Sequence, residues 1–348
     1  MSLQLIKIKG KEITPQKSIK SPIIGSKNVL TNSRWEFVEL WLRKEKKDDA
    51  LFFWEQSREF NKAAYGLSIQ SSPLLHYYSF MNAAKALLSS KGIVYNPHHG
   101  VCSSGSHSPK ISLDNEGIKI KQNGILPSLS SYLGETEINN IHSLKEVFFN
   151  LPFIHRTYCL SYANQTDMYI PVKKARFLFD DVTSLVHLYC ELSDDFSNRF
   201  IVKRLPSMFM LDKIDNNNNY IIKSTINTTI SNVSKLNQND INNLGSLNEN
   251  IRKELFYING SHTLWYIKSM VAGPRRINRY PLTLTLGAMH RLSELCRYKP
   301  LEFKRFLASN KNWLISEFIQ QAPDQFLDEI SSEITGYQFL QPNIRIAT

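Results

Sequence analysis

Between Pro73 and Gly92 the chain reads PLLHYYSFMNAAKALLSSKG, and this stretch restricts the available folds more than any other. On a helical period Leu74, Tyr77, Phe80, Met81, Ala84, Leu87 and Leu88 cover the broad side of the cylinder, while Ser79, Asn82, Lys85 and Ser89 fall in one narrow file. So apolar a helix is stable only when other elements cover most of its surface. The pattern therefore predicts a central core helix, capped by Ser72, with Pro73 at its first position and Gly92 as its stop. Ala83, Ala84 and Ala86 would let neighbouring helices approach closely.

Helices are predicted on both sides of it. Thr31, Asn32 or Ser33 can cap one that carries Trp35, Val38, Trp41 and Leu42. Phe53, Ser57, Phe60, Ala64 and Leu67 mark a second at steps of four and three. SLKE at Ser143–Glu146 has capping-box spacing. Residues 93–130 are turn-rich and read as a loop or small hairpin. KKARFLFDD, RFIVKRLP and NYIIKSTI read as strands, with TSLVHLYCELSD a helix among them. The Asn/Ser-rich span 231–250 reads as a linker or mobile loop, and LFYINGSHTLWYIKSM opens a return to helix.

The expected class is α+β, predominantly helical, with helical halves around a smaller β-containing central insert. The expected parts are a strand and arm over 1–30, a helical region over 31–165, an insert with its linker over 166–250, and a helical region over 251–348. At 348 residues, 42% of them hydrophobic, the chain has material for a core without staples. Its four cysteines stand singly, which suits a reducing compartment, and no long apolar run is present. A cytoplasmic protein with no membrane contact is expected.

The net charge of +11 is concentrated. Residues 1–47 carry eleven Lys/Arg against four Glu and residues 273–313 nine against two, so each block holds +7 and the remainder −3. Two basic blocks suit a polyanion or an acidic partner. In GPRRINRYP the forks of Arg275, Arg276 and Arg279 suit phosphate oxygens, with Tyr280 available to stack on a base. Arg297, Tyr298 and Lys299 close a later helix, where cations also answer its negative end, so Arg297 and Lys299 join the candidate nucleic-acid contacts. HHGVCSSGSH gathers His98, His99, Cys102 and His107, but the spacing matches no zinc knuckle and no metal is expected. Walker, GxGxxG, HExxH and GxSxG signatures are absent, and no cofactor is expected.

Pro73, Leu74, Leu75, Tyr77, Tyr78, Asn82, Lys85 and Ala86, followed by His99–Gly100, resemble a block of the YaaC-like family. The run LSELCRYKPLEFKRFL and the helix after it resemble that family's C-terminal part. Tyr78, Asn82, Lys85 and His99 are the motif positions this likeness singles out. A looser likeness is to HEPN helical domains, and it implies HEPN-like helical halves. YaaC-like proteins are similar to components of bacterial anti-phage defence loci. The resemblance thus implies a HEPN-like subunit that binds nucleic acid or a protein partner from the same locus, and it allows a homodimer. The Arg, four to six residues, His pair of HEPN ribonucleases is absent around all nine His, which implies no catalysis of its own. The alternatives are an atypical ribonuclease, with His99, Arg276, Arg297 and Tyr298 as acid, base and phosphate clamp, and a structural scaffold.

Overall fold

The structure is a computed structural model that describes residues 3–105, 111–163, 165–270, 276–309 and 312–341. Helix accounts for 44% and strand for 20%. The chain is therefore an α+β mix, and the expectation of a predominantly helical, HEPN-like architecture is corrected. It divides into two compact units, each assembled from separated stretches of sequence.

The helical unit takes residues 33–166 and 272–335. Helix α1, Arg34–Lys44, starts at Ser33, whose side chain accepts from the Glu36 amide. Helix α2, Asp48–Tyr65, and helix α3, Ser72–Ser90, follow. α3 is buried along nearly its whole length among α2, the Pro281–Tyr298 helix and the Asn312–Thr335 helix. Phe80 stacks on Phe326 with ring centroids 4.1 Å apart. The polar file is absorbed by packing. Ser57 on α2 donates to the Ser79 carbonyl at 2.7 Å, and Asn82 donates back to the Tyr78 carbonyl at 2.9 Å. Lys85 lies 5.2 Å over the Phe53 ring, and Ser89 meets the Tyr95 hydroxyl at 3.3 Å. A small antiparallel sheet, Val101–Gly105, Glu116–Ile120 and Ile141–Ser143, follows the turn after α3.

The sheet unit takes residues 3–32, 167–270 and 336–341 of those described. Its antiparallel sheet runs Phe209–Ile214, Tyr220–Ser224, Leu185–Leu192, Tyr169–Asp180, Leu264–Lys268, Leu255–Ile258, with Leu3–Leu5 added beside Tyr169–Asp180. The register pairs Phe177 with Leu188 and Trp265 with Val172. Leu244, Leu247 and Ile251 of the Gln238–Ile251 helix join the apolar core that includes Ile170, Phe177, Leu188 and Ile222. Four sequence readings change here, the first being that RFIV of RFIVKRLP, Arg199–Val202, is a short helix capped by the Asn198 side chain and no strand. LVHLYCEL is a strand, because six of its eight residues are buried and the alternation that marks a half-exposed strand is lost. The LFYI and LWYIK stretches form a hairpin. The expected linker contains a helix, opened by a capping box between Asn237 and Asp240.

The N-terminal arm is an integral part of this unit. Lys17 is buried, donating to the Phe339 carbonyl at 2.6 Å, with its ammonium 5.0 Å from the Tyr257 ring centre. Gln16 donates its amide to Asn248 Oδ1 at 2.8 Å. Val29–Leu30 pairs in parallel with Phe339–Leu340.

Candidate functional site

The turn His98–Gly100 is fixed by backbone chemistry. Gly100 sits at φ +73° and Gly124 at φ +121°, where side chains are disfavoured. A Cβ on Gly100 would lie 2.3 Å from Pro127 Cδ, so only glycine allows the approach. The first amides of the Ile125–Leu133 helix then reach the turn: Ile125 donates to the His98 carbonyl at 2.8 Å and Leu126 to the His99 carbonyl at 3.2 Å. The turn so held leaves the His99 side chain exposed.

His99 Nδ1 is 2.5 Å from the hydroxyl of Tyr77, which is 2% exposed. Burial raises the Tyr77 phenol far above its ordinary value, so it remains protonated. The Tyr77 ring also meets His290 edge-on, centroids 4.9 Å apart, and the two imidazoles are 5.7 Å apart. On the Pro281–Tyr298 helix, His290, Glu294 and Arg297 stand at i, i+4 and i+7, one face of the cylinder. Arg291 anchors this helix through Glu116 on the neighbouring strand, at 2.9 Å from Nε, and through Glu294 at 2.7 Å.

Charge and burial keep both imidazoles neutral. Burial chiefly lowers His99, with the positive charges of Arg297 and Lys85 adding to it. His290 is pushed down to about 3, first by burial and then by His99, Arg297, Arg291 and Lys121. The phenol has one proton to give, to His99 Nδ1 or to the Met81 sulfur 3.8 Å away. A neutral imidazole nitrogen is much the better acceptor, so Nδ1 accepts the hydrogen bond of the phenol and the other ring nitrogen, Nε2, carries the imidazole hydrogen. The exposed edge of His99 is thus a donor. Arg297, also exposed, carries its guanidinium 4.9 Å over the Tyr298 ring.

His99 and Arg297 are therefore brought together, with Lys85 near enough to act on His99. Tyr77, His290 and Glu294 complete the group. His290 and Glu294 were missed because nothing in their local sequence links them to His99. The GPRRINRYP reading is corrected in part. Arg279 is buried and bonds Glu135 at 3.0 Å, Ser130 at 2.8 Å and Asn140 at 2.9 Å, while the Tyr280 ring is buried. Neither presents itself to a strand of nucleic acid. Arg276 bonds Asn278 at 3.4 Å, Lys299 is half-buried, and Arg275 and His107 lie outside the described residues. Asn82 donates to the Tyr78 carbonyl of its own helix.

A YaaC-like protein family model matches residues 22–334, which takes in α3, the His99 turn and the helix bearing Arg297. The chain belongs to the YaaC-like family. No curated protein and no solved structure matches it. Within this family member, His99–Gly100 has a physical reason for its pairing: the glycine permits the turn that presents the histidine. Tyr77 then holds the ring from below.

Proposed function

We propose that the protein is a nucleic-acid-binding component of a bacterial anti-phage defence locus, acting in the cytoplasm without catalysis of its own, and that the His99–Arg297 face contacts its phosphates. The observation that carries the ligand class is the Tyr77–His99 bond of 2.5 Å, which leaves Nε2 as the donor of an exposed residue whose ring feels the charge of the exposed Arg297. Neutral donors and a cation on one face suit phosphodiester oxygens. The net charge of +11 supports a polyanion. The defence setting rests on the family's likeness to components of such loci.

The test uses fluorescently labelled single-stranded RNA and DNA with the full chain. Binding without strand scission, weakened in Arg297→Ala and His99→Ala, supports the reading, and equal affinity in all three proteins removes it. A second reading, RNA cleavage, is favoured by the His99–His290 pair at 5.7 Å. It requires the opposite tautomer, with Tyr77 donating to Met81 so that Nε2 is free to take a 2′-hydroxyl proton. Cleavage products that disappear in His99→Ala would establish it.

A further inference from the structure

The chain holds two Asn–Gly steps, Asn123–Gly124 and Asn259–Gly260, and the fold treats them differently. Glycine has no Cβ, so the backbone nitrogen after such an asparagine is open to close approach and can attack the side-chain amide in front of it. Whether it does so depends on the room for ring closure and on what touches the amide oxygen.

Asn259 and Gly260 are half-buried at the tip of the hairpin formed by Leu255–Ile258 and Leu264–Lys268. The Gly260 N–H makes no hydrogen bond among the described residues, and a Cβ on this glycine would meet nothing nearer than the His262 carbonyl oxygen at 3.4 Å. The Lys17 ammonium donates to Asn259 Oδ1 at 3.1 Å. It is a buried donor, fixed by the Phe339 carbonyl at 2.6 Å and by the Tyr257 ring. A cation held on this oxygen polarises the amide and answers the negative charge that develops there when a nucleophile adds. Asn123 has neither advantage. Gly124 is packed on Gly100, where a Cβ would lie 2.4 Å from Gly100 Cα, and no donor reaches the Asn123 side chain among the described residues.

We propose that Asn259–Gly260 is a self-modifying site, at which the Gly260 nitrogen attacks Asn259 Cγ with Lys17 stabilising the oxyanion. The N–Cγ bond forms, the Cγ–Nδ2 bond breaks, and Nδ2 leaves as ammonia carrying the Gly260 amide proton. Water then opens the cyclic imide, at Cγ to give aspartate or at the main-chain carbonyl to give isoaspartate. The aspartate product sets a carboxylate against the Lys17 ammonium and ties the N-terminal arm to this hairpin by charge. The site is independent of the His99–Arg297 face.

The test incubates the full chain in native buffer and in urea, with peptide mass spectrometry reading amide-to-acid conversion at both steps. In urea the two should convert alike, because each asparagine is followed by the same residue. In the folded chain Asn259 should convert at least about tenfold faster than Asn123, and Gly260→Ala should slow it. Lys17→Met should slow Asn259 about tenfold and leave Asn123 unchanged. If Lys17→Met does not fold, both steps convert at the urea rate and the wild-type comparison decides. Equal rates at the two steps in folded wild type, or an unchanged Asn259 rate in folded Lys17→Met, would overturn the proposal. Loss of ammonia with Lys17 and Asn259 joined in one peptide would overturn it too, by making Lys17 the nucleophile.

Discussion

Replacing Arg279 with alanine separates a structural cation from a ligand-binding one. Its side chain is 4% exposed and that of Glu135 is 0% exposed, so the substitution strands a carboxylate away from water. Breaking a buried ion pair by removing one partner costs about 3–5 kcal/mol. Glu135 keeps the Ser130 hydroxyl at 2.7 Å and the Tyr280 amide at 2.7 Å, which places the expected loss near the lower end. Urea unfolding followed through tryptophan fluorescence, to which Trp35 and Trp54, ring centroids 4.7 Å apart in the same unit, contribute, measures it. The pH dependence has a definite sign. Burial holds the Glu135 carboxyl above its ordinary value, so the native state binds more protons than the unfolded one across that window. Stability therefore falls as pH rises through it. Arg279→Ala removes an attraction that holds the carboxyl down, extends the window upward, and makes the variant gain more from acidification than wild type. A loss within about 0.5 kcal/mol, as for an ordinary surface change, with an unaltered pH profile, would refute the reasoning.

Gly100→Ala should cost about 2 kcal/mol, because it combines left-handed backbone with a Cβ 2.3 Å from Pro127, and it should displace His99 enough to move its imidazole NMR signals. Arg297→Ala should raise the His99 pKa toward its ordinary value, read by NMR titration, since it deletes a positive charge that holds the imidazole down; an unchanged titration would place Arg297 away from His99. Asn248→Ala should destabilise the sheet unit by about 1–3 kcal/mol in urea unfolding, because the buried Gln16 amide loses its acceptor.

Local signals were legible where local chemistry decides. The Ser33 cap, the Ser143–Glu146 capping box and the burial of α3 follow from neighbouring residues. The hairpin after His99 follows from turn residues and brief alternation. Partnership across long sequence separations was not legible. Arg279 finds Glu135 at a separation of 144 residues, so a loop of three arginines read as an exposed binding site. The Gln238–Ile251 helix carries many Asn and only a thin apolar stripe, and composition hid it. His99 was visible through its glycine and the family block. The role of Tyr77 required the fold, because only the fold places its hydroxyl at the ring nitrogen.

The central claim is that the His99–Arg297 face contacts phosphates. The slope of log affinity for single-stranded RNA against log salt tests it most directly, measured for wild type and Arg297→Ala over the same salt range. Losing one phosphate contact should reduce the slope by about 0.7 and weaken binding similarly across sequences. Identical slopes in the two proteins would contradict the account.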